Sequence, residues 1–142
     1  ALDRAGAMLA AEGLRFCYHN HDFEFRPDAN GVLPWEELDR GTTAPHLGYE
    51  MDTYWVAFAG FNVPDTLTKY QSRLDLAHLK DGTLGETVKH LPVGQGDMDW
   101  TPILPKLKEA GTKFGFIELD NYEGDPLEAV AQSWDFLRSR VG

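Results

Sequence analysis

Apolar residues fall along the chain in short runs that end in ionisable side chains, separated by longer stretches with helical spacing. Ala1 to Glu12 is Ala-rich, with Leu2, Met8 and Leu9 apolar and Gly13 as a stop, and predicts a helix. Leu14 to Tyr18 predicts a buried strand that runs into Tyr18-His19-Asn20-His21-Asp22-Phe23-Glu24-Phe25. Pro27 to Gly31 is a turn, and Pro34 to Leu38 a short helix with Pro in its first turn. His46 to Asp52 predicts the second strand. A helix follows from about Val63 to Tyr70, entered at Asn62 or Asp65. Leu74 to Asp81 predicts the third strand, closed by Gly82. The polar, Gly-containing stretch from Thr83 to Asp99 reads as a long loop over the top of the fold. Thr101 to Ala110 predicts a helix capped by Thr101, with Ile103, Leu104 and Leu107 as its apolar stripe. Lys113 to Glu118 is the fourth strand, built on Phe114, Phe116 and Ile117. Asp125 to Arg140 is a last helix, with Leu127, Val130, Ala131, Trp134 and Leu137 expected to face inward.

One helix followed by four strand–helix units predicts an α/β fold with a parallel sheet and right-handed crossovers. The 142 residues suffice for one domain with a sizeable core, here taken as 1–142. Composition narrows the class. With 42% hydrophobic and 25% charged residues the chain reads as an ordinary globular protein. The formal charge of −10 argues against a nucleic-acid partner, whose phosphates reward basic surfaces, and leaves carboxylates available for a cation. A single cysteine, Cys17, forbids an internal disulfide and reads as a small core residue in a reducing compartment. No apolar run approaches the ~18 residues of a membrane span and no signal-peptide pattern opens the chain, so the expectation is a cytoplasmic protein without a membrane partner.

The strand ends carry the candidate chemistry. They finish in His19 and His21, Glu50 and Asp52, His78 and Lys80, and Glu118 and Asp120. Each pair is two residues apart and so shares a face. In parallel α/β folds functional groups collect at the carboxyl ends of the strands. Taken singly, each residue is an ordinary ion-pair or hydrogen-bond partner. Together they make a mixed His, Asp and Glu set suited to a divalent metal such as Mn²⁺, Co²⁺, Zn²⁺ or Fe²⁺, with Mg²⁺ also admitted.

These residues resemble the xylose-isomerase-like (β/α)₈ barrels, which include sugar isomerases and epimerases, inosose dehydratases and endonuclease IV. The matching pieces are Tyr18-His19-Asn20-His21-Asp22-Phe23-Glu24-Phe25, Glu50-Met51-Asp52-Thr53-Tyr54-Trp55 with Ala59-Gly60, Ala77-His78-Leu79-Lys80-Asp81, Val93-Gly94-Gln95-Gly96 followed by Asp99-Trp100, and Phe116-Ile117-Glu118-Leu119-Asp120. A full barrel needs eight strands and about 250 residues. The four strands here therefore resemble its C-terminal half, strands five to eight.

The resemblance implies four metal ligands, one per strand. Asp52, His78 and Glu118 match the last three. The first strand departs from the family, because no carboxylate precedes Asn20. Glu24 reaching back is the favoured ligand, with His19 or His21 as its replacement. The implied reaction is proton removal next to a carbonyl of a sugar or keto-sugar, with the metal polarising the oxygens and Glu118 opposed by His19 or His21 as the acid/base pair. Lys80 is a candidate for steadying an oxyanion, and Trp55, with Tyr54, for stacking on a sugar ring. Gly94 and Gly96 permit a tight turn.

Two rivals stand beside this. An endonuclease-like phosphodiesterase on the same scaffold would want a basic groove, which the charge opposes. A half-barrel could also be a catalytically inert scaffold. Four strands leave two open edges, so a homodimer closing an eight-stranded barrel is the expected assembly.

Overall fold

The structure, a computed structural model, describes residues 1–140. Its elements follow the strand–helix rhythm: α1 (Leu2–Ala11), β1 (Cys17–His19), a 3₁₀ turn (Phe23–Phe25), α2 (Pro34–Arg40), β2 (Gly48–Asp52), α3 (Thr53–Phe58), α4 (Val63–Tyr70), a second 3₁₀ turn (Gln71–Arg73), β3 (Leu74–Leu79), β4 (Asp81–Gly82), β5 (His90–Leu91), α5 (Trp100–Glu109), β6 (Phe114–Ile117) and α6 (Pro126–Arg138). Strands β1, β2, β3 and β6 pair in that order into one parallel sheet. Among the described residues no helix is long and apolar enough to cross a membrane.

Two elements were not legible as such. The run Thr53-Tyr54-Trp55-Val56-Ala57-Phe58 is rich in β-branched and aromatic residues, which are poor helix formers. It is helical because the Asp52 side chain caps it, accepting from Trp55 N at 3.0 Å. The expected loop from Thr83 to Asp99 contains one arm of a small antiparallel pair, in which Asp81 faces Leu91 and Gly82 faces His90. The cap of α5 is Asp99, whose carboxylate accepts from Thr101 N at 3.1 Å, and not Thr101.

The sheet has two unlike faces. One carries Tyr49, Met51, Ala77 and Leu79 and is buried under α2, α4, α5 and α6 through Trp35, Val63, Leu67, Ile103, Leu107 and Leu137. The other carries Cys17, His19, Glu50, Leu76, His78, Phe114 and Phe116, and it is the face that lines the interior of a closed barrel. Among the described residues no helix covers it, so Phe114 and Phe116, on which the fourth strand was built, are 65% and 45% exposed. Helix α6 departs from the expected stripe. Leu137 faces inward as expected, but its neighbours on the packed stripe are Ala129 and Ser133, while Leu127 and Trp134 are 80% and 56% exposed and Val130 and Ala131 are exposed too. Small residues at i and i+4 let the helix seat closely, and Ser133 is spent locally, donating to Ala129 O and accepting from Val93 N. The large apolar residues point where four strands supply no neighbour.

One irregularity sets the register of the site. Tyr49 pairs with Leu74 but Glu50 pairs with Leu76, so Asp75 is an extra residue on β3. Without this bulge Asp52 would stand opposite Ala77; with it, Asp52 stands opposite His78, and both point to the uncovered face. Asp75 is held at the bulge by Arg15 Nε at 2.7 Å and Lys113 Nζ at 3.1 Å. Gly48 leaves room for this, because a Cβ there would meet Asp75 Oδ2 at 2.0 Å.

Candidate metal centre

The register places one donor from each strand end at a common point. His19, Asp52, His78 and Glu118 each offer an atom, and these atoms lie within 4.8 Å of one another. First-row ions hold N and O donors at about 2.0–2.2 Å, so opposite donors in a complex stand roughly 4.4 Å apart. Both the spread and the mixture of two imidazoles with two carboxylates therefore fit a divalent transition metal.

Two of the donors, Asp52 and His78, are oriented from behind. Asp52 is fully buried; its Oδ1 is fixed by the α3 cap, leaving Oδ2 to face His19 Nε2 at 3.3 Å. Asn20, also buried, clasps the Asp52 backbone, accepting from Asp52 N at 2.9 Å and donating to Asp52 O at 3.2 Å. His78 presents Nδ1 to Glu118 Oε2 and Nε2 to Glu50 Oε1, the latter at 2.9 Å. A carboxylate on the far nitrogen of a metal-ligating imidazole fixes its tautomer and ring angle. Glu50, which the sequence placed at a strand end without a role, supplies that contact. The His19 and His78 rings stack with centroids 4.0 Å apart. Burial works against a charge on His19, but its hydrogen bond to Asp52, the Asp52 charge and the Glu118 charge outweigh this and hold its pKa above the ordinary value.

The other expected residues fall around this point. Glu24, the favoured first-strand ligand, is outside the four-donor group. It lies in the turn after β1, buried, where Oε1 accepts from the Tyr18 hydroxyl at 2.7 Å and Oε2 from His21 N at 2.8 Å. A carboxylate committed to two donors braces the turn, and the residue that β1 contributes to the four-donor group is His19. His21 stands beside the cluster with its ring 4.9 Å from that of His19 and 5.8 Å from Trp55. Trp55 is largely buried and packs against Tyr54, Phe58 and His90, which leaves little of it for a sugar ring. Lys80, the candidate for steadying an oxyanion, is wholly buried and already ion-paired to Asp52, Glu118 and Asp120. Burial alone would depress its pKa; the Asp52 charge, the Asp120 hydrogen bond and the Glu118 charge raise it above the ordinary lysine value. Cys17 is half-buried, and burial followed by the Asp75 charge pushes its thiol up, away from the reactive thiolate.

Three supporting residues, of which only Asp120 was noted at a strand end and none was given a role from the sequence, lie behind the cluster. His90 is buried and accepts at Nδ1 from Asp120 N at 2.9 Å and Asn121 N at 3.3 Å, which requires the neutral ring. Burial, then the Lys80 charge, lower its pKa to match. Asp120 receives Lys80 at 2.7 Å. Asp81 is buried and accepts from Gly82 N, Gly94 N, Met98 N and the Trp100 indole, tying the segment after β3 back on itself. Gly94 adopts φ +89° there, and a Cβ at Gly96 would stand 2.2 Å from Asp81 Oδ1, so both glycines are required by the anchored turn. A carboxylate followed by a Gly-x-Gly run is the signal that could have flagged this anchor.

Comparison with known proteins agrees with this architecture. Residues 1–140 match the model of a family described as xylose isomerase-like TIM barrel. The chain is 28% identical to an inosose dehydratase of Clostridium botulinum, over 99% of this chain and 52% of that protein. It superposes on a sugar phosphate isomerase/epimerase from Parabacteroides distasonis with a TM-score of 0.82 at 23% identity, covering 98% of this chain and 50% of that one. A D-tagatose 3-epimerase-like protein superposes with a TM-score of 0.68 at 20% identity, over 97% and 51% respectively. The chain thus spans about half the length of the relatives it matches. Four parallel strands with their donors at the carboxyl ends, matched from residue 1 to residue 140, make this chain a member of the xylose isomerase-like TIM barrel family and about half of its barrel.

Proposed function

We propose that this chain is the metal-holding half of a divalent-metal-dependent isomerase or epimerase that moves a proton next to the carbonyl of a sugar or keto-sugar. The observation that carries this is the convergence of His19, Asp52, His78 and Glu118, one from each strand end, backed by Glu50 and Asn20. Mn²⁺, Co²⁺, Zn²⁺ and Fe²⁺ suit two imidazoles better than Mg²⁺ does. A bound ion supplies Lewis-acid polarisation of the carbonyl oxygen, which acidifies the neighbouring C–H.

The protein groups then move the proton. Glu118, on the β6 side, is the base facing the substrate carbon; His21, on the β1 side, is the opposing acid, with His19 holding the ligand position between them. The His21 ring has stacking contacts but no hydrogen bond among the described residues, which leaves both nitrogens available to a substrate hydroxyl. Lys80 and Asp120 keep Glu118 in place from the opposite side. We further propose that a second copy supplies four more strands. The sheet is parallel throughout, so the open edge of β6 in one copy can pair with β1 of the other.

A keto-sugar dehydratase is the second reading, favoured by the 28% identity to an inosose dehydratase. It uses the same proton removal, followed by loss of a hydroxyl from the next carbon. Incubating Mn²⁺- or Co²⁺-loaded protein with keto-sugars in D₂O separates these outcomes. Deuterium at the carbon beside the carbonyl with no mass loss indicates epimerisation or isomerisation; loss of one water indicates dehydration. No exchange with any keto-sugar by protein that demonstrably binds the metal refutes both and leaves the inert scaffold.

A further inference from the structure

Lys80 sits on the same two oxygens that face the imidazoles. Its ammonium lies 3.2 Å from Asp52 Oδ2 and 3.1 Å from Glu118 Oε2. Asp52 Oδ2 is also the partner of His19 Nε2, and Glu118 Oε2 that of His78 Nδ1. The third carboxylate, Asp120, is outside the four-donor group and receives the shortest contact, 2.7 Å. Asp120 is itself fixed through its backbone N–H, which His90 accepts at 2.9 Å. The Trp55 ring, 5.2 Å from the ammonium, offers a further favourable surface on that side.

We propose that Lys80 is a resident cation that competes with the divalent metal for Asp52 and Glu118, with Asp120 as the carboxylate that retains the ammonium when the metal takes the other two. This rests on the metal-centre assignment above. Without metal, the ammonium offsets part of the charge of the acids crowded at the strand ends, above all that of the fully buried Asp52. With metal, it becomes a like charge a few ångströms away. Repulsion between a unit and a double positive charge at about 5 Å, in the dielectric of a partly open site, is enough for about a ten- to hundredfold reduction in metal affinity. The centre would thus bind its ion exchangeably. If Lys80 served only to hold the carboxylates in position, its removal would weaken metal binding, so the two roles differ in sign.

The test is calorimetric titration of Mn²⁺ and of Co²⁺ into the unaltered chain, Lys80→Met and Asp120→Asn, each checked for its fold by circular dichroism. Lys80→Gln, which keeps a hydrogen-bond donor for Asp120, takes the place of Lys80→Met should that variant not fold. Removing the ammonium is expected to tighten binding about ten- to hundredfold. Asp120→Asn, which leaves the ammonium no other carboxylate, is expected to weaken it about three- to tenfold. Unchanged or weaker binding by the folded Lys80 variant overturns the competition while leaving the metal centre intact. Failure of the unaltered chain and of every folded variant to bind either ion overturns the metal centre and, with it, this inference.

Discussion

Replacing Asp81 with alanine tests whether one carboxylate organises the segment above the site. Four N–H groups converge on it. Oδ1 accepts from Gly82 N at 2.8 Å and Met98 N at 3.2 Å; Oδ2 accepts from Gly94 N at 2.8 Å and the Trp100 indole at 2.8 Å. A hydrogen bond to a charged group contributes about 1.5–3 kcal/mol, and the four are not additive because they share one acceptor. Truncation strands donors in the interior, and Trp100, 3% exposed, gives its indole N–H no route to water. Loss of the buried charge returns part of its desolvation cost. The net effect is about 3–5 kcal/mol, the range for breaking a buried charged network from one side. Asp81→Asn keeps the volume but turns an amide N–H towards two of the donors, and about half that loss is expected. Urea denaturation at neutral pH gives the stabilities, and amide hydrogen exchange should show residues 83–99 losing protection before the four-stranded sheet does. A loss below about 1 kcal/mol for Asp81→Ala, or exchange that is unchanged across that segment, would refute the anchoring role.

Asn20→Ala removes both partners of the buried Asp52 peptide groups and should cost about 2–3 kcal/mol by thermal or urea melting; a cost under about 0.5 kcal/mol would show that water takes over those contacts. His90, with its pKa lowered below 6.5 by burial and then by Lys80, binds fewer protons folded than unfolded, so its contribution to stability is complete above about pH 6.5 and falls as the pH drops below that value. Relative to His90→Gln, the unaltered chain should lose stability between pH 6.5 and 5 with a slope of at most about 1.4 kcal/mol per pH unit; parallel pH profiles of the two proteins would contradict this. Light scattering on a size-exclusion peak should give twice the chain mass, and Phe116→Asp together with Trp134→Lys should return it to one; a monomer at tens of micromolar would remove the second copy from the picture.

The sequence made the strand–helix order readable because each strand combines a short apolar run with an ionisable end, and because entry signals such as Asn62 before α4 act locally. That Asp52, His78 and Glu118 would stand together was readable for the same reason. Glu24 lies outside the four-donor group because Tyr18 and the His21 N–H claim both its oxygens, and that competition is geometric. The bulge at Asp75 was invisible because Leu74-Asp75-Leu76 is also a regular alternation; its partners Arg15 and Lys113, 60 and 38 residues away, reveal that Asp75 turns aside. The orientation of α6 was misread for a different reason. Hydrophobic spacing tells which residues want cover, but it does not tell whether these four strands supply it, and Leu127 and Trp134 are left exposed.

The four donors come from four different strands, 33 residues apart from His19 to Asp52 and 40 apart from His78 to Glu118. No single β/α unit can hold the ion, so the centre exists only once β1, β2, β3 and β6 have all docked in register. Binding there must act on the cooperative unfolding of the whole sheet: at a hundred times its dissociation constant an ion adds about 2.7 kcal/mol to every route that separates any strand from its neighbour. The order of events in folding follows as well. Loop closure across each helix has to bring the strands together before the four donors can meet at one point. An ion captured at this point would therefore report on the completeness of the fold, and chelation would loosen strands far from any donor.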